Sequence, residues 1–153
     1  MRLKRILVPI DFSSHSMNAL RYARELAQQF GAQLLLLHVI EPLQFITVAD
    51  VYDEQRRLSD AALAHLGEDL TRQGVKAQLV VEAGVPSHVI AATGERSGVD
   101  LIVIGTHGRT GLAHVVIGSV AERVVRTATC PVLTVRSPAR KRPPAAHKKR
   151  RQG

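Results

Sequence analysis

The chain has a single cysteine, Cys130, among its 153 residues. No intramolecular disulfide can form, and a cysteine-rich metal site is excluded. Set as Thr129-Cys130-Pro131 ahead of an apolar strand, this thiol is expected to be buried and inert, a small hydrophobe. Long apolar runs are missing too. The run near the N-terminus, Ile6 to Ile10, stops at Asp11 and is too short for a secretion signal. Nothing approaches the roughly 20 apolar residues of a membrane-spanning helix. A soluble, cytoplasmic protein without a membrane partner is expected.

Acidic residues are absent from one end. The formal charge is +8, yet from Arg136 onward there are eight Lys and Arg and no Asp or Glu, leaving thirteen residues of each sign before it. The first 135 residues are therefore neutral, and the basicity belongs to a tail. Pro138, Pro143 and Pro144 interrupt that tail and no large apolar residue anchors it. Residues 137–153 are expected to be disordered, with residues 1–136 forming one domain large enough to bury its own core. The tail reads either as a solubilising extension or as a weak electrostatic contact with nucleic acid or another acidic surface. Its lack of aromatics argues against base stacking.

What is present alternates. Ile6 to Ile10 reads as a first buried strand, followed by a helix capped by Ser13 or Ser14 and closed by Gly31. Leu34 to Ile40 is a second strand, and its continuous apolarity is expected of a sheet covered by helices on both faces. A longer connection then leads to a helix from about Asp53 to Arg72. Ala77 to Val81 is the third strand, Pro86 starts the next helix, Leu101 to Ile104 is the fourth strand, and Pro131 to Val135 the fifth. Strict alternation predicts a five-stranded, open parallel α/β sheet of the doubly wound class.

Between the fourth strand and the last helix runs GTHGRTGLAHVVIGS, Gly105 to Ser119. A glycine-rich connection from strand to helix suits phosphate, because its backbone N–H groups can surround the oxygens and the helix dipole adds to their pull. The segment has no lysine, so it is not a Walker loop, and its glycines do not fit G-x-G-x-x-G. Taken singly, each glycine could equally serve a turn. Ser119 reads as the N-cap of the following helix.

This segment resembles the nucleotide-binding motif G-x2-G-x9-G-[ST] of the ATP-binding branch of the universal stress protein family. The opening KRILVPIDFSSHSMNALRYARELA and the ending GSVAERVVRTATCPVLTV are similar to the same family, so the resemblance spans about Met1 to Arg136. It implies a Rossmann-like sheet of order 3-2-1-4-5, ATP with Mg²⁺ or another divalent ion as ligand, and a homodimer through the strand Val132 to Val135. It also implies nucleotide contacts from Pro9, Ile10, Asp11, Val39, Gly105, Thr106, Gly108, Gly118, Ser119 and Val120. Val39 would meet adenine through its backbone, and the glycine-loop positions would meet ribose and phosphate. Arg109, the one cation of the loop, suits phosphate oxygens but could equally be a solvated charge. Asp11 could contact the ribose or a metal, or cap the next helix.

Catalysis has less support. His107 and His114 lie in the loop without a carboxylate at recognisable spacing, His15, His65 and His88 read as helix-surface residues, and His38 ends a buried strand. No Ser-His-Asp constellation or zinc spacing is found. The sequence therefore points to a nucleotide-dependent regulator or protective factor in stress. Slow ATP hydrolysis or phosphoryl transfer, using Asp11 or His107, is the enzymatic alternative. Action on nucleic acid through the tail is the other.

Overall fold

A computed structural model describes residues 2–42, 49–106 and 117–136. The elements run β1 (Arg5–Pro9), α1 (Ser14–Phe30), β2 (Gln33–Ile40), α2 (Ala49–Arg72), β3 (Ala77–Ala83), α3 (Pro86–Arg96), β4 (Leu101–Gly105), α4 (Ser119–Thr127) and β5 (Val132–Val135). The strands form one parallel sheet in the order β3-β2-β1-β4-β5.

The alternation of side chains along each strand divides the core in two. Ile6, Val8, Leu34 and Leu36 face one way and pack against Ala19, Ala23 and Ala27 of α1 and Leu63 and Leu70 of α2. Leu7, Leu35, Leu37, Ile102 and Ile104 face the other way, onto Ile90 of α3 and Ala121 and Val124 of α4. Each such Leu or Ile contributes roughly 2 kcal/mol by leaving water. Both faces being covered explains why β1, β2 and β4 read as unbroken apolar runs.

Local chemistry sets the boundaries. Ser13 caps α1, its Oγ accepting the Ser16 N–H at 3.2 Å. Gly31 ends that helix in the left-handed region at φ 67°, which a side chain would disfavour. Several strand ends shift by a single residue from the sequence reading, and three boundaries differ with an identifiable cause. Helix α2 starts at Ala49 rather than near Asp53, because Tyr52 still packs against the core and carries the helical face back. Strand β3 continues to Ala83, where Glu82 accepts hydrogen bonds from Thr93 (3.3 Å) and Arg96 of α3. At α4 the N-cap is Gly118, not Ser119. Ser119 is the first helical residue, and no side chain caps the helix.

At the amino end of the sheet, Asp100 Oδ2 accepts the backbone N–H groups of Lys4 (2.7 Å) and Arg5 (2.9 Å). These two bonds hold its carboxyl below the usual carboxylate range and tie the start of β1 to the turn before β4. Cys130 is half-buried rather than fully buried, against the second core cluster. That burial pushes its thiol up, which disfavours the reactive thiolate. The basic tail, residues 137–153, lies outside the described residues.

Candidate functional site

Strands β1 and β4 are neighbours, with Ile6 opposite Leu101 and Leu7 opposite Ile102. Their following helices pack on opposite faces, α1 with one core cluster and α4 with the other. A crevice must open where the two chains diverge, at the carboxyl ends of the strands. A cleft of about 930 Å³ occupies that place.

Helix α4 forms one wall. Its first amides, on Ser119, Val120 and Ala121, precede the first intrahelical bond, Glu122 N–H to Gly118 O at 2.9 Å. Those three donors have no intrahelical acceptor, and all three residues line the cleft together with Gly118. Thr106 leaves β4 nearby, 3% exposed. Its N–H donates to Val135 O at 3.0 Å and its carbonyl accepts the Gly118 N–H. The two ends of the glycine segment are thus pinned together at the mouth of the cleft.

The opposite end is built from β2. Leu37 O accepts the Ile10 N–H at 2.8 Å, so Leu37 turns its backbone groups toward β1. By the two-residue period Val39 does the same, beyond the last paired residue of β1, Pro9. Neither the N–H nor the C=O of Val39 has a hydrogen-bond partner among the described residues. A donor and an acceptor on one backbone unit therefore face the cleft.

Nine residues expected from sequence line this one cleft: Pro9, Ile10, Asp11, Val39, Gly105, Thr106, Gly118, Ser119 and Val120. Gly108 and Arg109, like His107 and His114, lie outside the described residues. Asp11 does not cap α1, whose N-cap is Ser13; its Oδ1 accepts the Ser13 N–H at 2.9 Å and so braces the turn ahead of the helix, and it also lines the cleft. Gly105 has a packing reason of its own. A β-carbon there would stand 2.8 Å from the carbonyl oxygen of His15, so β4 and the first turn of α1 meet in backbone contact. His15 is accordingly half-buried, unlike the exposed His65 and His88.

Sequence reasoning missed several lining residues. Arg123 stands one turn after Ser119 on α4 and lines the cleft. The i, i+4 spacing on a helix whose first residue was already a candidate is the signal that could have found it. His38, Gln55, Leu58 and Ser87 were also missed, because no motif marks them. Among the described residues, no group of three or more His, Cys, Asp or Glu is arranged to hold a metal ion, and no helix is long and apolar enough to cross a membrane.

The profile of the Universal stress protein family matches residues 2–136. The chain belongs to this family. The match covers every element from β1 to β5 and ends where the basic tail begins. Among curated relatives, universal stress protein MJ0531 of Methanocaldococcus jannaschii is 33% identical over 144 residues, covering 88% of this chain and 83% of the relative. Among solved structures, protein MJ0577 superposes with a TM-score of 0.84 at 28% identity, over 91% of this chain and 99% of that one. A universal stress protein solved in complex with cAMP has the same fold, with a TM-score of 0.70 at 22% identity over 88% of this chain and 98% of that one.

Proposed function

We propose that this universal stress protein binds ATP in the cleft between β1 and β4 and acts as a nucleotide-dependent regulator or protective factor. The observation that carries the reading is the pairing of two complementary ends in one cleft. At one end the uncapped amides of α4 offer donors to phosphate, with Arg123 adding a cation nearby. At the other, the Val39 N–H and C=O offer a donor and an acceptor to a base edge. The volume, about 930 Å³, is within the range of small-molecule sites. A family member solved with cAMP supports an adenine nucleotide as the ligand class.

In this reading Pro9, Ile10 and Asp11 lie beside the ribose, Gly105 and Thr106 beside ribose and α-phosphate, and Gly118, Ser119 and Val120 cradle the phosphates, with Gly108 and Arg109 completing the loop. Asp11 and Glu41 are the carboxylates that line the cleft. An accompanying Mg²⁺ would therefore take most of its ligands from phosphate and water, as Mg²⁺ does in many phosphate sites. Its role is to share the phosphate charge. Homodimerisation through β5 belongs to the same proposal. β5 is an edge of the sheet, and an apolar edge strand is satisfied by a twofold partner.

The test is the identity of nucleotide carried by the purified protein. Mass spectrometry of the denatured, native-purified chain should find ATP, and incubation over hours should separate simple holding from slow hydrolysis. A different class of bound small molecule would replace the assignment.

A further inference from the structure

The free groups of Val39 need a cause, because a parallel ladder would ordinarily use them. With Pro9 opposite Leu37, the Leu37 carbonyl receives the Ile10 N–H. The next rung would have the Val39 N–H donating to Ile10 O and the Phe12 N–H donating to Val39 O. Neither bond forms.

Two residues account for this. His38 Nδ1 lies 2.7 Å from Ile10 O. A carbonyl oxygen can only accept, so Nδ1 carries the proton and donates, and the acceptor of the missing rung is occupied. His38 is 7% exposed, held from the other side by the Phe12 ring, whose centroid is 4.9 Å away at a tilt of 43°. Phe12 removes the second bond by its backbone. It turns into the left-handed region at φ 62°, the one non-glycine residue to do so among the described residues. A bulky side chain adopts that conformation only where its surroundings impose it. Here Phe12 packs against the first core cluster, and Asp11 Oδ1 holds the turn through the Ser13 N–H.

We infer that His38 and Phe12 are positioning residues that end the β1–β2 ladder one rung early and thereby hold the Val39 donor–acceptor pair open to a base. An adjacent N–H and C=O match the Watson–Crick edge of adenine, where the N1 acceptor neighbours the N6 amino donor. Hypoxanthine, with N1–H and O6, presents the reverse pattern in the same orientation. Base choice would then be set by His38 through the backbone of Val39. This inference rests on the nucleotide reading, but its structural half does not need a ligand.

The experiment uses the full chain, with His38→Leu, which deletes the donor, and His38→Asn, whose Nδ2 stands the same number of bonds from the backbone. Amide exchange by NMR without ligand should find Val39 exchanging faster than Leu37, and His38→Leu should slow Val39 as its N–H closes onto Ile10 O. Affinities for ATP and ITP should differ by about tenfold or more in the unmodified protein. That ratio should fall toward one in His38→Leu and persist in His38→Asn. A protected Val39 amide in the unmodified protein overturns the inference. So does a His38→Leu protein that weakens ATP and ITP by the same factor, since that is a merely structural loss. Should His38→Leu fail to fold, the Val39 exchange rate and the His38→Asn ratio still decide. An unmodified protein that binds neither nucleotide brings down the nucleotide reading and the ligand named here, whereas the exchange pattern tests the ladder separately.

Discussion

Gly105 and His15, ninety residues apart, meet so closely that a β-carbon on Gly105 would stand 2.8 Å from the His15 carbonyl oxygen and 3.0 Å from its carbonyl carbon. Both neighbours are backbone, so the methyl of an alanine has no flexible side chain to displace. The first glycine of the motif is therefore needed by the fold whatever the ligand does. Gly105→Ala should lose about 1–3 kcal/mol of stability, read as a lower urea midpoint without added nucleotide. An unchanged midpoint would mean that α1 can move away at no cost.

Asp100 predicts a pH dependence. Its carboxyl is held below the usual range by the amides of Arg5 and Lys4, so its folded pKa lies below the unfolded value of about 3.9. The stabilisation is therefore fully present above the unfolded pKa and is lost as pH falls through the depressed one. Removing the acceptor with Asp100→Ala should cost about 1 kcal/mol at neutral pH, a modest effect because the site is open to solvent. In Asp100→Asn, the fall in stability between pH 5 and pH 3, about two units spanning the carboxylate range, should be shallower than in the unmodified protein. Identical slopes would remove Asp100 from the account.

The edge strand gives an assembly prediction. Leu133 on β5 is 39% exposed, at an edge of the sheet where backbone groups remain to be paired. Leu133→Lys should shift the protein from dimer to monomer in sedimentation while its far-UV spectrum stays the same. An unmodified protein that sediments as a monomer at tens of micromolar, a rough working range for a sub-micromolar dimer, would rule out this interface.

The tail predicts a division of labour. All of the net positive charge lies after Val135, so any affinity for DNA should be independent of sequence and fall steeply with salt. A chain ending at Val135 should lose that affinity and keep its affinity for ATP. Equal DNA binding by both chains across a salt series would place the contact on the neutral domain.

Sequence legibility followed the range of the interactions. Runs such as LIVIG and LLLLHVI mark buried strands because covering both faces removes any polar alternation, and Pro86 marks a helix start because its fixed φ suits the first turn. Sheet order came from family resemblance rather than from the residues, and the structure has the same order. The N-cap of α4 was misplaced by one, since Gly118 and Ser119 are both acceptable caps and only the backbone angles separate them. The role of His38 was illegible for a different reason. It depends on strand register bringing residue 38 beside Ile10 and Phe12, and nothing in LLLLHVI announces that. The Gly105–His15 contact is hidden in the same way, as a glycine in a glycine-rich segment already has an apparent purpose.

The most direct measurement is calorimetric titration of ATP into nucleotide-free, full-length protein beside its Gly118→Val variant. Gly118 has φ −71° and ψ 154°, extended backbone that valine can adopt, so the variant should fold with the same helix and sheet content. Its side chain would stand at the start of α4, where the phosphates are proposed to pass. The account predicts saturable binding of ATP to the unmodified protein and a loss of at least about tenfold, roughly 1.4 kcal/mol, in the variant. Equal affinity in a folded Gly118→Val protein, or no binding by the unmodified one, would contradict it.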